Sequence, residues 1–203
     1  MLFRSTNVGD IDDIAHFNAW LGTLPHKHKI FVPGNHDLMF EDNEPYARSM
    51  MTNATVLIDE MIEIDGVKFY GTPWTPEFFD WAFMRPDLNL TKMWDKIPDK
   101  VDVLITHGPP YGILDQNFRY QPCGSQTLYQ ALSRIEPRFH IFGHIHESQG
   151  VFQMNGTTFA NVSCPQNWFD EIKRKPFVFE ISPVHTGHEQ ESETKEEIGR
   201  AHV

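Results

Sequence analysis

Three short stretches carry most of the side chains here that could bind metal or move protons. They are Gly34-Asn35-His36-Asp37, His107-Gly108 and Gly143-His144-Ile145-His146. Each follows an apolar, β-prone run: Lys29 to Val32, Val101 to Thr106, and Phe139 to Phe142. A histidine beside glycine at a strand end can offer a ring nitrogen to a metal. Taken singly, His107 reads more simply as structural. In extended chain His144 and His146 would point to opposite faces, so both reach one site only if the strand has ended and the chain is turning, as Gly143 permits. Asn35 adds a neutral amide oxygen. Imidazole, amide and carboxylate groups without thiolate favour Mn, Fe or Zn in a catalytic site over a structural zinc–thiolate centre. Asn35 and His36 are adjacent and cannot easily share one role. The expected division puts Asn35 on metal and leaves His36 to meet the substrate, donating a proton or hydrogen-bonding a developing oxyanion. Asp37 could orient such a histidine or bond to backbone at a turn.

These clusters need a scaffold. Strands that each end in a polar, glycine-flanked cluster place the three stretches along one edge of a sheet, where α/β proteins build their sites. Ile11, Ile14, Phe17, Leu21 and Leu24 recur at helical spacing, with Asp10 as N-cap and Asp12 and Asp13 in the first turn. Further helices are predicted over Glu44–Asn53, Thr91–Ile97 and Ser125–Ile135, the last with Leu128, Leu132 and Ile135 on one face. Asp65-Gly66 and Asn155-Gly156 predict two-residue hairpins. Thr158 to Val162 and a last strand, Pro176 to Ile181, follow. Gly71 to Met84 reads as a loop holding Trp74, Phe78, Phe79, Trp81 and Phe83. It either packs its own rings or covers a substrate, and Trp74 is the candidate for stacking a base. The whole predicts a layered α/β fold with a mixed sheet over residues 1–182, then a disordered, Glu-rich tail over 183–203 whose final residues read as an artefact.

With 203 residues the chain can bury one sizeable core. Its formal net charge of −11 argues against a nucleic-acid polymer or an anionic membrane as partner, although metal ions would still let it bind phosphate. Two cysteines far apart, Cys123 and Cys164, suggest a reducing, cytoplasmic setting. No apolar run is long enough to span a membrane.

The ordered set of clusters resembles the last three motifs of the calcineurin-like metallophosphoesterases. Phe17-Asn18-Ala19-Trp20-Leu21-Gly22, Gly71-Thr72-Pro73-Trp74-Thr75-Pro76 and Phe142-Gly143-His144-Ile145-His146-Glu147 are similar to the small metallophosphoesterase-domain-containing subfamily, which is linked to cyclic nucleotide phosphodiesterase activity. The resemblance implies a calcineurin-like fold and two divalent ions, Mn, Fe or Zn. Asn35, His107 and His144 would ligate one ion and His146 the other, with His36 as the catalytic non-ligand. It implies hydrolysis of a phosphoester, on nucleotide-type substrates, by a hydroxide activated between metals. Two family motifs, Asp-x-His and the metal-bridging Gly-Asp, are absent. Gly9-Asp10 is no substitute, because no apolar strand precedes it and it opens directly into a helix. The chain is therefore expected to be the piece of an active enzyme that lacks two first strands, and by itself to fold poorly and turn over feebly. A weakly catalytic nucleotide-binding or regulatory protein is the competing expectation.

Overall fold

A computed structural model describes residues 9–163 and 176–183. Cys164, the opening residues and all but Pro183 of the predicted tail lie outside them. The helices are α1 (Ile11–Thr23), α2 (Leu38–Asp42), α3 (Glu44–Met50), α4 (Asp87–Trp94) and α5 (Gln126–Ile135). The strands are β1 (Ile30–Phe31), β2 (Thr55–Val56), β3 (Glu60–Ile64), β4 (Val67–Thr72), β5 (Thr75–Pro76), β6 (Met84–Arg85), β7 (Val103–Thr106), β8 (Phe139–Phe142), β9 (Gly150–Met154) and β10 (Thr157–Asn161). Six strands form one sheet in the order β3-β4-β7-β8-β10-β9. Its centre, β4-β7-β8-β10, is parallel, and an antiparallel hairpin closes each end. Both hairpins turn where the sequence predicts. Asp65 and Gly66 have φ of 51° and 77°, and Asn155 and Gly156 have φ of 50° and 83°. Two successive left-handed residues define the turn whose twist matches paired strands.

Period-two burial splits the sheet into two faces. Tyr70 and Leu104 point toward α4 and α5, packing with Leu90, Trp94, Leu128 and Ile135. Val67, Val103, Ile105 and Ile141 point the other way, onto Val32 and Leu57 of the β1–β2 layer. That layer is backed by α1, α2 and α3 through Ile14, Leu21, Phe31, Phe40 and Ala47. Each large apolar side chain fully buried this way contributes roughly 1.5–3 kcal/mol, so the layering is dictated by these alternating stripes. The predicted α/β mixed-sheet architecture is present.

Several local expectations are corrected. The strand at Ile30–Phe31 does not join the main sheet. It pairs in parallel with Thr55–Val56 as a separate two-stranded sheet laid across it. Phe31 belongs to one apolar cluster, while Val32 just beyond it packs onto the main sheet, so the layer needs cover on both sides. The helix predicted at Thr91–Ile97 starts earlier, at Asp87. The Asp87 carboxylate accepts from Ser125 Oγ and the N–H groups of Gln126 and Thr127, tying the start of α4 to the start of α5. Arg134 closes the far end, donating to the carbonyls of Trp94 and Ile97. Pro176–Ile181 is not a strand. Phe179 stacks on Phe139, with centroids 4.2 Å apart, and Arg138 Nη1 donates to Ser182 O, so rings and a side chain hold this segment. Within the aromatic stretch, Thr75–Pro76 and Met84–Arg85 pair as short parallel strands. No helix among the described residues is long and apolar enough to cross a membrane.

Candidate metal centre

β7 and β8 are parallel neighbours, so the residues just past their carboxyl ends, His107 and Gly143-His144, emerge side by side. The Gly143 N–H donates to the His107 carbonyl at 3.0 Å and locks the two loops together. The β1 layer brings the third stretch over the same edge. Gly34 lies so close to the His107 ring that a Cβ there would overlap Cε1 and Nδ1. The Gly34 N–H donates to Asp37 Oδ2 at 2.7 Å and the Asp37 N–H returns to the Gly34 carbonyl at 3.0 Å. These contacts bond Asp37 to backbone at the turn, one of the two roles open to it. Gly9, at φ 68°, presses on the same loop: a Cβ there would stand 2.6 Å from Leu38 N and 2.8 Å from His36 O. Asp10 caps α1 as expected, accepting from the Asp13 N–H.

Three candidate ligand atoms converge. His107 Nε2 lies 2.8 Å from Asn35 Oδ1 and 3.1 Å from His144 Nδ1. Two ligands each about 2.1 Å from one ion, at a right angle, stand about 3.0 Å apart. A proton on His107 Nε2 serves one neighbour at a time, whereas a cation between the three serves all of them. The spacing and the donor set fit one divalent ion. Among the described residues no three His, Cys, Asp or Glu side chains form such a group, so the cluster is complete only with the Asn35 amide.

His144 itself takes the tight turn that the sequence assigns to Gly143. Its φ is 67°, and the Ile145 N–H reaches back to the Gly143 carbonyl at 2.7 Å. A non-glycine residue at the centre of such a three-residue turn is strained. The strain is held by donors from the end of β10: Asn161 Nδ2 and Ser163 Oγ both donate to the Ile145 carbonyl, at 2.9 and 3.1 Å. His146 opens a short 3-10 helix, His146–Ser148. It lies close enough to depress the basicity of both His107 and His144.

His36 occupies the rim. Its ring stands edge-on to Trp81 with centroids 4.0 Å apart, and its charge also depresses His107 and His144. Trp81 is exposed, as are Phe78 and Phe79 earlier on the same stretch, and the Ala82 N–H is bonded to the Asn35 carbonyl. Trp74 is placed differently. Its indole N–H donates to Asp59 Oδ2, its ring packs edge-on against Phe83, and Arg85 lies over it at 5.0 Å.

Burial governs the proton chemistry. Desolvation, then the charges of the neighbouring histidines, holds His107 well below its ordinary value and His144 at about 4. His140, inside β8, is lowered to about 3 by burial alone. All three are neutral at pH 7, so a metal displaces no proton from either imidazole ligand. The unfolded chain protonates its histidines near pH 6.5, above these folded values. It therefore takes up protons the native state refuses, and stability present in full above about pH 6.5 is lost as pH falls. Each such histidine contributes a slope of about 1.4 kcal/mol per pH unit below that point. The thermal midpoint is thus expected to fall steadily from pH 7.5 to pH 5, and a flat profile would mean these rings are not buried neutral.

Residues 6–148 match the family model of the calcineurin-like phosphoesterases. Metallophosphoesterase domain-containing protein 1 of Homo sapiens is 36% identical over 190 residues, which cover 80% of this chain and 58% of that protein. UPF0046 protein C25E10.12 of Caenorhabditis elegans is 38% identical over 178 residues, covering 78% of this chain and 63% of its own length. The chain thus spans about three-fifths of these relatives. A crystal structure superposes with a TM-score of 0.60 at 21% identity, over 75% of this chain and 63% of that one, a likeness of fold. The family-model match, the relatives and the sheet-edge cluster agree: the chain belongs to the calcineurin-like phosphoesterase family.

Proposed function

We propose that this chain carries the hydrolytic site of a metal-dependent phosphodiesterase acting on nucleotide-type substrates. The observation behind this reading is the convergence of Asn35 Oδ1, His107 Nε2 and His144 Nδ1 in a family of hydrolases. Those three side chains would hold one divalent ion, with His146 beside it for a second. Bound divalent ions supply positive charge for phosphate oxygens and lower the pKa of water. That charge also offsets the repulsion a chain of net charge −11 exerts on a phosphate. His36, on the rim, would donate a proton to the departing oxygen. The nucleotide part of the reading rests on the exposed ring of Trp81 against His36, which can stack a planar base, with Phe78 and Phe79 exposed on the same stretch of chain. Trp74, the other candidate for stacking a base, packs against two core clusters.

A second reading, nucleotide binding with little turnover, has one observation in its favour. No carboxylate completes a group of three with the histidines among the described residues. Titration with Mn2+ while following a chromogenic phosphodiester separates the two. Metal-dependent hydrolysis that a chelator abolishes supports the enzyme. Nucleotide binding by calorimetry with no product at any Mn2+ concentration supports the second reading and overturns the first.

A further inference from the structure

We propose that His140 is a positioning residue for the metal centre, acting through the Thr106 hydroxyl on the turn that carries His107. The proposal rests on the reading that Asn35, His107 and His144 hold a divalent ion. His140 lies within β8 and is fully buried, with its ring against those of Phe142 and Phe159 at centroid distances of 4.9 and 5.7 Å. Its Nε2 is 2.8 Å from Thr106 Oγ1. That hydroxyl has a single proton and gives it to the Gly108 carbonyl at 2.6 Å. His140 must therefore be the donor, which fixes the tautomer with hydrogen on Nε2 and a lone pair on Nδ1. Nδ1 is buried and has no hydrogen-bond partner.

A phenylalanine would fill the same aromatic cluster without burying an unmet nitrogen. An imidazole here costs stability, and buried polar groups of this kind call for a reason beyond packing. The reason lies at the other end of the hydrogen-bond chain. Thr106 and Gly108 flank His107, and the bond between them sets the backbone that aims its ring. The His107 N–H and carbonyl are held as well, by the Thr72 carbonyl at 3.2 Å and the Gly143 N–H at 3.0 Å. Of these three links the Thr106–Gly108 one depends on a side chain, and His140 orients that side chain by occupying its acceptor. Partners one step behind metal ligands typically alter affinity 10- to 100-fold.

The test uses the full chain with His140→Phe and His140→Gln, the amide of the second standing near the lost Nε2–H. Three readouts are taken: the thermal midpoint, Mn2+ affinity by calorimetry, and imidazole 15N shifts. The expected result has opposite signs. His140→Phe keeps or raises the midpoint while binding Mn2+ about 10- to 100-fold more weakly, and His140→Gln recovers most of the affinity. Nitrogen shifts place the native His140 proton on Nε2. A lowered midpoint with Mn2+ affinity within threefold of native would make His140 a packing residue and overturn the proposal. A proton on Nδ1 would do the same. If the native chain binds no Mn2+, the metal reading fails by itself. The His107 ring shifts then decide: movement in His140→Phe supports the positioning role, and unchanged shifts reject it.

Discussion

Gly34→Ala is expected to abolish tight divalent-metal binding although every candidate ligand remains in the sequence. The new Cβ would overlap Cε1 and Nδ1 of the His107 ring, so one side must move. The Gly34 backbone cannot give way cheaply. Its N–H is held by the Asp37 carboxylate and its carbonyl by the Asp37 N–H. The ring therefore moves, and it cannot do so while keeping Nε2 at 2.8 Å from Asn35 Oδ1 and 3.1 Å from His144 Nδ1. Overpacking of this kind costs about 1–3 kcal/mol, less than folding usually supplies. The expected variant is folded by circular dichroism, has a lowered thermal midpoint, and binds Mn2+ or Zn2+ at least tenfold more weakly. Native affinity in that variant would mean that His107 is not a ligand, or that the β1 layer yields more readily than its hydrogen bonds imply.

Much of this site is legible in the sequence because its geometry is local. A strand that stops at glycine and delivers histidine needs only neighbours along the chain, and His107 and Gly143-His144 stand where that rule puts them. The Asp65-Gly66 and Asn155-Gly156 turns are equally local, since residues tolerant of positive φ specify the hairpin directly. What the sequence conceals is set by contacts between distant segments. Ile30–Phe31 reads as one more strand of the main sheet. Only the pairing with Thr55–Val56, and apolar cover on both sides, shows it to be a separate layer. The strained turn falls on His144 because Asn161 and Ser163, from another strand, hold the Ile145 carbonyl; no local preference selects it. His140 escapes notice within an apolar run. A signal was present all the same: it alternates with Phe142, and a titratable ring on the core side of a strand needs a partner, here Thr106. Among five aromatic rings the sequence singles out Trp74, whereas the folded chain sets Trp81 against His36 and Trp74 against Asp59.

His36→Ala and His144→Ala should fail in different ways, and the contrast tests the division of labour within the site. His144 Nδ1 lies 3.1 Å from His107 Nε2, which is itself 2.8 Å from Asn35 Oδ1. Removing it leaves two candidate ligands, so metal content and turnover should fall together. His36 is on the rim, edge-on to Trp81. Its loss should leave metal stoichiometry near native and reduce the rate by about 10²–10⁴-fold, the usual worth of a positioned proton donor. The leaving group refines the expectation. A substrate whose departing oxygen is already a weak base needs little protonation, so His36→Ala should be least damaging with a nitrophenolate and most damaging with an alkoxide. Metal measured by atomic absorption, with rates on one substrate of each type, distinguishes the cases. Collapse of metal content in His36→Ala would place His36 among the ligands and shift the proton donor elsewhere. An equal rate loss on both leaving groups would keep His36 in the site as a charge that steadies the phosphate, because such a role does not depend on which oxygen departs.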